Sequence, residues 1–362
     1  MEVSKMSGWR DRKIGRELIK AVLRPLMRWR PLRDPLPGFS IVIGAPWLLR
    51  HMLGVNLSFV RKMDLTGLDR IYIVFDRTPK PGADRFIDEV KRSFPELPLH
   101  FQFYPRLVGS LICAVNQAHF YASMNWVVGL QSCRTRYAIL HDFDLYPTQA
   151  NMFAEVVRAM QERSLRFSGT QIRMDDEWFG VIDPPTIGSC ELGIDVPWLR
   201  GNSHPLDMFR KAITLRGTRC MLDSTNYVQL KTPARAVAET VGRHSYVHAD
   251  NLCATYLEYT VGRKYYLAWR LHMLWYLESL SGPEDKLHSI TDAMRSADSS
   301  ILAVDGHFID FSGVSVTCSN VLRNMVQPME KMLFGECRRE VTTYVDEFES
   351  FLRRCGDNGA LN

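Results

Sequence analysis

Four short apolar runs alternate with helical segments early in the chain, and this alternation constrains the fold more than any other feature. Each run is a few residues long and rich in Val, Ile, Tyr and Phe, which is typical of a buried strand. The runs cover 39–46, 70–76, 99–104 and 137–144, and helical patterns lie between them at about 47–63, 83–93 and 111–131. Because parallel strands need a crossover connection, the alternation predicts a doubly wound, mostly parallel α/β sheet.

Two carboxylates, Asp142 and Asp144, end the fourth of these runs. In an extended backbone, residues i and i+2 point to the same side, so the two side chains would project together from the end of the strand. Ligands of open α/β sheets bind at such strand ends. Two carboxylates at this spacing can hold a divalent cation with a diphosphate on its far side. The alternative is a strand that ends in a solvated acidic turn, because Pro147 follows closely.

The composition is that of a globular protein with a sizeable core, since 46% of the 362 residues are hydrophobic and 23% are charged. The eight cysteines are scattered and form no C-x-x-C pair, which argues against a zinc site and a disulfide framework and fits a reducing compartment. The sequence contains no secretion signal and no bilayer-spanning run. We therefore expect a cytoplasmic protein, soluble or peripheral on the inner face of the membrane.

The basic charge of the chain is concentrated at its beginning. Residues 1–33 hold ten Lys or Arg against three acidic residues, a net charge of +7, whereas the remainder holds 35 basic and 37 acidic residues, a net charge of −2. Ile14, Leu18 and Val22 recur every four residues and would line one face of a helix that Pro25 ends or kinks. This pattern predicts an amphipathic arm on an anionic membrane surface. An arm packed on the body, or a disordered tail, is the alternative.

Several nucleotide and hydrolase signatures are absent from the sequence. It has no G-x-x-x-x-G-K-[ST] phosphate loop, and no G-x-G-x-x-G follows the first strand. It also lacks H-E-x-x-H and G-x-S-x-G, the common metalloprotease and esterase motifs. Nucleic acid is not expected as a partner, because the body of the chain is slightly acidic and only the arm is basic.

The order of the remaining parts, over roughly residues 38–275, resembles the GT-A glycosyltransferases, particularly the large inverting family that uses nucleotide-diphospho-sugars. Segment 109–118 is similar to the Gly…Ala-x-Asn-x-Gly helix start of that family, and Asp142-Phe143-Asp144 matches its D-x-D motif. Further on, segment 248–252 with the helix, glycine and strand that follow looks like its Glu-Asp, helix, Gly, strand segment. The chain departs from the pattern in having Ala249 where the family has Glu.

The resemblance implies four contacts to the nucleotide-sugar, at Ala45, Asp76, Asn116 and Asp142. Asp76, at the end of the second strand, matches the carboxylate that reads the nucleobase. A strand-capping role is the alternative for this residue.

The resemblance also implies a metal site and a catalytic base. Asp144 would hold Mn²⁺ or Mg²⁺, and His272 would complete the site, although a histidine on an apolar stretch is otherwise a hydrogen-bonded core residue. Asp250 would take the proton from the acceptor hydroxyl, so that one displacement inverts the anomeric carbon. Asp250 is alternatively the N-cap of a helix at 251–260, a common use of Asp.

Four segments follow from this interpretation. They are a basic amphipathic arm at 1–36, a nucleotide-sugar-binding α/β half at 37–148, an acceptor and catalytic half at 149–275, and a mainly helical C-terminal extension at 276–362. Residues 166–204 are expected to be loop-rich, and Trp178 and Trp198 there are candidates for stacking on an acceptor sugar, with core or interface packing as the alternative.

The function implied by the resemblance is a metal-dependent, non-processive transfer of a hexosyl or related sugar. The donor would be a nucleotide-diphospho-sugar and the acceptor a glycan or a lipid-linked molecule, as in polysaccharide biosynthesis. One alternative is a D-x-D phosphatase of the haloacid dehalogenase type, but Tyr146 stands where that family has Thr or Val. The other is a degenerate, membrane-associated scaffold, which the basic arm and helical tail would suit.

Overall fold

The computed structural model describes residues 17–115, 118–171, 186–215, 218–282 and 286–359. The chain forms two compact units. The first holds residues 1–47, 64–143 and 151–242, and the second holds 48–63, 144–150 and 243–362. The division into an arm, two halves and a helical extension stays a prediction.

The strands of the described residues are, in chain order, β1 Leu36–Ala45, β2 Leu68–Phe75, β3 Leu99–Phe103, β4 Thr135–Asp142, β5 Leu145–Pro147, β6 Phe167–Gln171, β7 Ile187–Asp195, β8 Lys211–Leu215, β9 Thr218–Leu222, β10 Val237–Glu239, β11 Tyr246–His248, β12 Ile301–Val304 and β13 His307–Asp310. The helices are α1 at 17–26, α2 Leu53–Val60, α3 Ala83–Ser93, α4 Arg106–Val115, α5 Ala118–Ser132, α6 Met152–Glu162, α7 Val196–Asn202, α8 Asn226–Gln229, α9 Leu252–Tyr259, α10 Ala268–Ser281, α11 Lys286–Ser296, α12 Thr317–Phe334 and α13 Arg339–Gly359. Short 3-10 helices cover Trp47–Met52, Pro205–Met208, Ala234–Ala236 and Arg243–Ser245.

A seven-stranded, mostly parallel sheet forms the first unit, in the order β10-β6-β7-β4-β1-β2-β3. The pairs β1–β2, β1–β4, β2–β3 and β6–β10 are parallel, whereas β7 is antiparallel to both of its neighbours, β4 and β6. The predicted α/β class with a mostly parallel sheet is therefore confirmed. The central strands are apolar on both faces, as parallel strands covered by helices must be.

The chain order reverses between β1 and β4, which places a topological switch point at their carboxyl ends. Gly44 of β1 pairs with Asp142 of β4, and Ala45 pairs with Phe75 of β2. Asp76 follows directly and donates its backbone N–H to the carbonyl of Ala45 at 3.3 Å. Crevices at such reversals are where open α/β sheets bind ligands. Three of the predicted donor contacts thus lie at one edge of the sheet.

Helix α5 lies close against this sheet. A Cβ on Gly129 would come within 2.2 Å of Cγ1 of Val42, so only glycine permits this approach. At the C-terminal end of α5, the buried Arg200 donates hydrogen bonds to the carbonyls of Leu130 and, at 2.7 Å, Cys133. These bonds satisfy carbonyls at the end of α5, where no intrahelical donor is available.

Helix α1 packs on the first unit by one face. Leu23, Met27 and Trp29 are buried in its core, and the indole N–H of Trp29 donates to Oγ of Ser203 at 3.2 Å. Leu18 and Val22 lie on the exposed side instead. The alternative in which the arm packs on the body is therefore right for residues 17–29, and it leaves part of the apolar face uncovered.

The second unit is mainly helical. Helix α10 is its core element, and it contacts α9, α11 and α12, while α13 packs on α11 and α12. Two small antiparallel pairs complete the unit, β5 with β11 and β12 with β13. Among the described residues, no helix combines the length and apolarity needed to cross a membrane.

Candidate functional site

Asp144 and His248 meet because their strands pair. Asp144 directly precedes β5, and His248 is the last residue of β11, where it is opposite Leu145 in the antiparallel register. Imidazole Nε2 of His248 lies 3.3 Å from carboxylate Oδ1 of Asp144, and both side chains are partly buried. Backbone pairing between distant segments thus fixes this carboxylate–imidazole contact.

Asp144 also accepts hydrogen bonds from the segment at the start of helix α9. The backbone N–H of Leu252 donates to Oδ2 of Asp144 at 3.2 Å, and that of Ala249 donates to the Asp144 carbonyl at 2.9 Å. Asp250 and Asn251 between them have φ values of 48° and 59°, a left-handed region that non-glycine residues adopt uncommonly. After this turn, the first N–H of the helix, that of Leu252, points at the Asp144 carboxylate. The N-terminal end of a helix also favours a nearby negative charge.

These contacts decide the charge of Asp144. Burial alone would raise its pKa, but the adjacent His248 imidazole and the N–H of Leu252 outweigh burial and hold the pKa of this carboxyl below its usual range. Asp144 is therefore negatively charged at neutral pH, which is the state that binds a cation.

Asp142 joins this pair to form a group with metal-binding chemistry. It is the last residue of β4 and is linked to Asp144 through Phe143 alone. Asp142, Asp144 and His248 each offer one ligand atom, and these atoms lie within 4.8 Å of one another. Carboxylate oxygens suit Mg²⁺ and Mn²⁺, and an imidazole nitrogen suits first-row transition metals. The donor set therefore fits a divalent cation, with Mn²⁺ the better match to both ligand types.

The histidine beside Asp144 is thus His248, whereas His272, which is predicted to complete the metal site, lies in the core of the second unit. His272 is fully buried in α10, where its ring stacks on Phe348 with centroids 3.5 Å apart. Its Nδ1 lies 2.6 Å from the hydroxyl of Tyr344. Burial lowers the pKa of His272 well below its usual value, so the ring is neutral. These are the properties of a core residue, the alternative that the sequence had left open.

Asp250 does not cap helix α9. The N-cap position belongs to Asn251, whose side chain makes no capping hydrogen bond. The carboxylate of Asp250 instead pairs with the guanidinium of Arg270 and accepts a hydrogen bond from Nδ2 of Asn251 at 2.8 Å. Its side chain is 43% exposed, so an incoming hydroxyl could reach it. The base assignment stays a prediction, with Arg270 added as its partner.

Asp76 has the capping contact that was weighed against its nucleobase role. Its Oδ1 accepts the backbone N–H of Trp47 at 2.9 Å, and Nε of Arg77 lies 3.4 Å away. The carboxylate thereby ties the turn after β1 to the end of β2. A ligand role at the same edge stays a prediction.

The remaining predicted residues fall into two groups. Asn116 and Trp178 lie outside the described residues. Trp198 is described, and it packs against Phe167 in an edge-to-face contact with centroids 5.5 Å apart, while its backbone N–H donates to Oδ1 of Asp195 at 3.0 Å. Trp198 is therefore engaged in packing of the first unit, and its stacking on an acceptor stays a prediction.

His248 is the residue that sequence reasoning missed. It stands two residues before Asp250, inside the segment that carries the resemblance, but no local rule connects it with Asp144. The signal that the sequence offers is its position at the start of segment 248–252, which carries the resemblance.

Comparisons with known proteins give structural neighbours only. No family model matches the chain, and no curated protein matches it. A mannosyltransferase from Pyrobaculum calidifontis, solved with GDP-mannose and Mn²⁺, is 9% identical over 99% of this chain and 96% of that one, with a TM-score of 0.37. S. aureus TarS 1–349 is 10% identical over 89% and 82%, with a TM-score of 0.36.

A third neighbour is the 4-diphosphocytidyl-2C-methyl-D-erythritol synthase from Anaerococcus prevotii, which is 12% identical over 59% of this chain and 92% of that one, with a TM-score of 0.38. At these identities and TM-scores, the likeness of this chain to the three structures is distant.

Proposed function

We propose that the protein is a metal-dependent, non-processive glycosyltransferase that moves a sugar from a nucleotide-diphospho-sugar to a glycan or lipid-linked acceptor, with inversion. The observation that carries this proposal is the group formed by Asp142, Asp144 and His248, which follows a central strand of a mostly parallel sheet. Open α/β sheets bind their ligands at the carboxyl ends of the strands. The three side chains offer ligands for a divalent cation, which a bound diphosphate needs as its counter-ion.

The division of work among these residues follows from their contacts. A bound divalent cation would neutralise the charge that builds on the departing diphosphate. Asp144 would be its anionic ligand, since His248 and the start of α9 keep the carboxylate ionised. Asp142 would contact the cation or the ribose. Ala45 and Asp76, at the ends of β1 and β2, would contact the nucleoside.

The direct test is the metal-dependent release of nucleoside diphosphate from a panel of sugar nucleotides, with and without Mn²⁺. Release from one donor, which requires the metal, is the expected result. Phosphate release from a generic ester, lost in Asp142→Asn, would instead identify a phosphatase. If neither activity occurs and no sugar nucleotide raises the melting temperature, the proposal is wrong. That outcome would favour the degenerate, membrane-associated scaffold.

The two histidines give a matched comparison. His248→Asn is expected to raise the Mn²⁺ concentration for half-maximal activity at least about tenfold, because changes around a metal ligand set commonly cost this much affinity. His272→Asn is expected to lower the melting temperature, because it disrupts the buried contacts with Phe348 and Tyr344. It should leave the Mn²⁺ requirement unchanged. A shifted Mn²⁺ requirement in the His272 variant alone would restore the original prediction.

Asp250 is proposed as the base that takes the proton from the acceptor hydroxyl. Asp250→Asn is expected to reduce turnover about a hundredfold, the lower range for loss of a general base. Mn²⁺-dependent binding of the nucleoside diphosphate, measured by thermal shift, should be unchanged because Asp250 is not among the metal ligands. Arg270→Gln, which removes the guanidinium paired with Asp250, is measured in the same two assays. If both variants only lower the melting temperature, the Asp250–Arg270 pair is structural.

We also propose that residues 1–33 bring the protein to an anionic membrane surface on the cytoplasmic side. The support is the net charge of +7 in this segment and the apolar side chains that α1 leaves exposed. A surface that combines cations with exposed apolar groups attracts anionic lipids.

A further inference from the structure

A cavity of about 450 Å³ lies in the first unit beside the arm. Its volume is within the range of about 300–1,000 Å³ that is common for ligand sites. The arm contributes Leu26, Met27 and Arg28 to its lining, and helix α5 contributes Val128 and Gln131. The rest of the lining includes Phe103 at the end of β3 and several other apolar side chains. The cavity therefore accepts an apolar ligand.

An exposed apolar stripe leads to this cavity. Leu18, Val22 and Leu26 are spaced by four residues and so lie on one face of α1, with exposed fractions of 63%, 43% and 50%. The adjoining face, with Leu23, is buried in the core. Leu26 belongs both to the stripe and to the cavity lining. A helix that is already packed on one side does not need this second apolar face for folding.

Exposed cations are close to the stripe in sequence. The side chains of Arg24, Arg28, Arg30 and Arg33 are exposed. Arg28 also lines the cavity. A guanidinium beside an apolar cavity complements a molecule with an anionic head and an apolar tail. A basic residue near an anionic membrane surface strengthens binding about fivefold.

We propose that this cavity binds the acyl chain of an anionic phospholipid of the membrane, with the lipid phosphate at Arg28 and the stripe of Leu18, Val22 and Leu26 in the headgroup region. The inference rests on the proposed membrane partner and gives it a specific site. It is independent of the donor and of the metal. Its occupant is a bilayer lipid, since the charge and the apolar stripe extend beyond what one small ligand would need.

The site is tested first with a single lipid. The full chain is titrated with lysophosphatidylglycerol below its micelle concentration, and one saturable equivalent is expected. Val128→Trp should abolish this binding, because the indole fills the cavity. Gln131→Trp, one helical turn away on the same lining, serves if the first variant does not fold. Mn²⁺-dependent thermal shifts by nucleoside diphosphates should be unchanged in both.

The charge is tested with a matched lipid. Arg28→Gln should weaken lysophosphatidylglycerol about fivefold and leave lysophosphatidylcholine unchanged, because only the first lipid has a net negative charge. Absence of saturable lysolipid binding, or equal binding in folded Val128→Trp or Gln131→Trp, overturns the site.

Vesicles separate the site from the membrane partner itself. Co-sedimentation with vesicles of phosphatidylcholine mixed with phosphatidylglycerol is expected, and it should be much weaker with phosphatidylcholine alone. Replacing Leu18 and Val22 together by Ser should reduce vesicle binding and preserve lysolipid binding, because neither residue lines the cavity. If vesicle binding and saturable lysolipid binding both survive cavity filling, the membrane partner stands and the lipid site is refuted. No binding to either vesicle would refute both.

Discussion

Asp144→Asn is expected to lower metal-dependent hydrolysis of the donor about a thousandfold, since a metal ion supplies several kcal/mol of stabilisation to the charge that develops on the leaving group. The substitution removes the negative charge and keeps the size of the side chain. It also keeps an oxygen that can accept the N–H of Leu252, which lies 3.2 Å from Oδ2 in the wild type. The start of α9 should therefore be preserved, and the loss should concern the metal.

The measurement is the rate of nucleoside diphosphate release at saturating and at limiting Mn²⁺. A matched control is Asp64→Asn, because Asp64 also accepts a backbone N–H, that of Thr66 at 3.0 Å, but is exposed and does not belong to the metal-binding group. Its activity should equal that of the wild type. If Asp144→Asn retains full activity with an unchanged Mn²⁺ requirement, this carboxylate is a structural cap of α9 and not a metal ligand.

The sequence was informative where local pattern and fold agree. The apolar runs predicted β1 to β4, because a strand buried on both faces is a continuous apolar stretch whatever its neighbours are. It failed for β6 and β7, which lie inside the segment expected to be loop-rich. Strand β7 contains Gly188, Cys190 and Gly193, which give little strand signal, and it is fixed by antiparallel pairing with β4.

In the candidate site, too, some residues could be predicted from the sequence and others depend on pairing between distant segments. Asp142 and Asp144 are neighbours in sequence, so their spacing could be read directly. The contact between Asp144 and His248 depends on the pairing of β5 with β11, two strands of three residues each that carry almost no local signal. His272 was favoured because sequence order suggested it, but packing of α10 against Tyr344 and Phe348 places its ring in the core of the second unit.

Glu330→Ala is expected to lower the free energy of unfolding by about 3 kcal/mol, the lower end of the cost of removing one partner from a buried ion pair, because the side chain of Arg338 is 31% exposed. Glu330 is fully buried in α12. Its carboxylate accepts the hydroxyl of Tyr276 at 2.8 Å and two guanidinium N–H groups of Arg338, at 2.8 and 2.9 Å. It also accepts the backbone N–H of Arg338 at 3.2 Å. Truncation would leave these donors without an acceptor inside the second unit.

Glu340→Ala is the matched control, because Glu340 pairs with the same guanidinium at 3.2 Å but is exposed. An exposed ion pair contributes about 0–1 kcal/mol, so this variant should unfold nearly as the wild type does. Urea denaturation measures both, and the slope with denaturant should be unchanged if only stability differs. Equal losses in the two variants would mean that the fixed charge of Arg338, and not the burial of Glu330, sets the energy. Since the same unit carries Asp144 and His248, the Glu330 variant should also lose Mn²⁺-dependent activity at the temperature where it unfolds, and not below it.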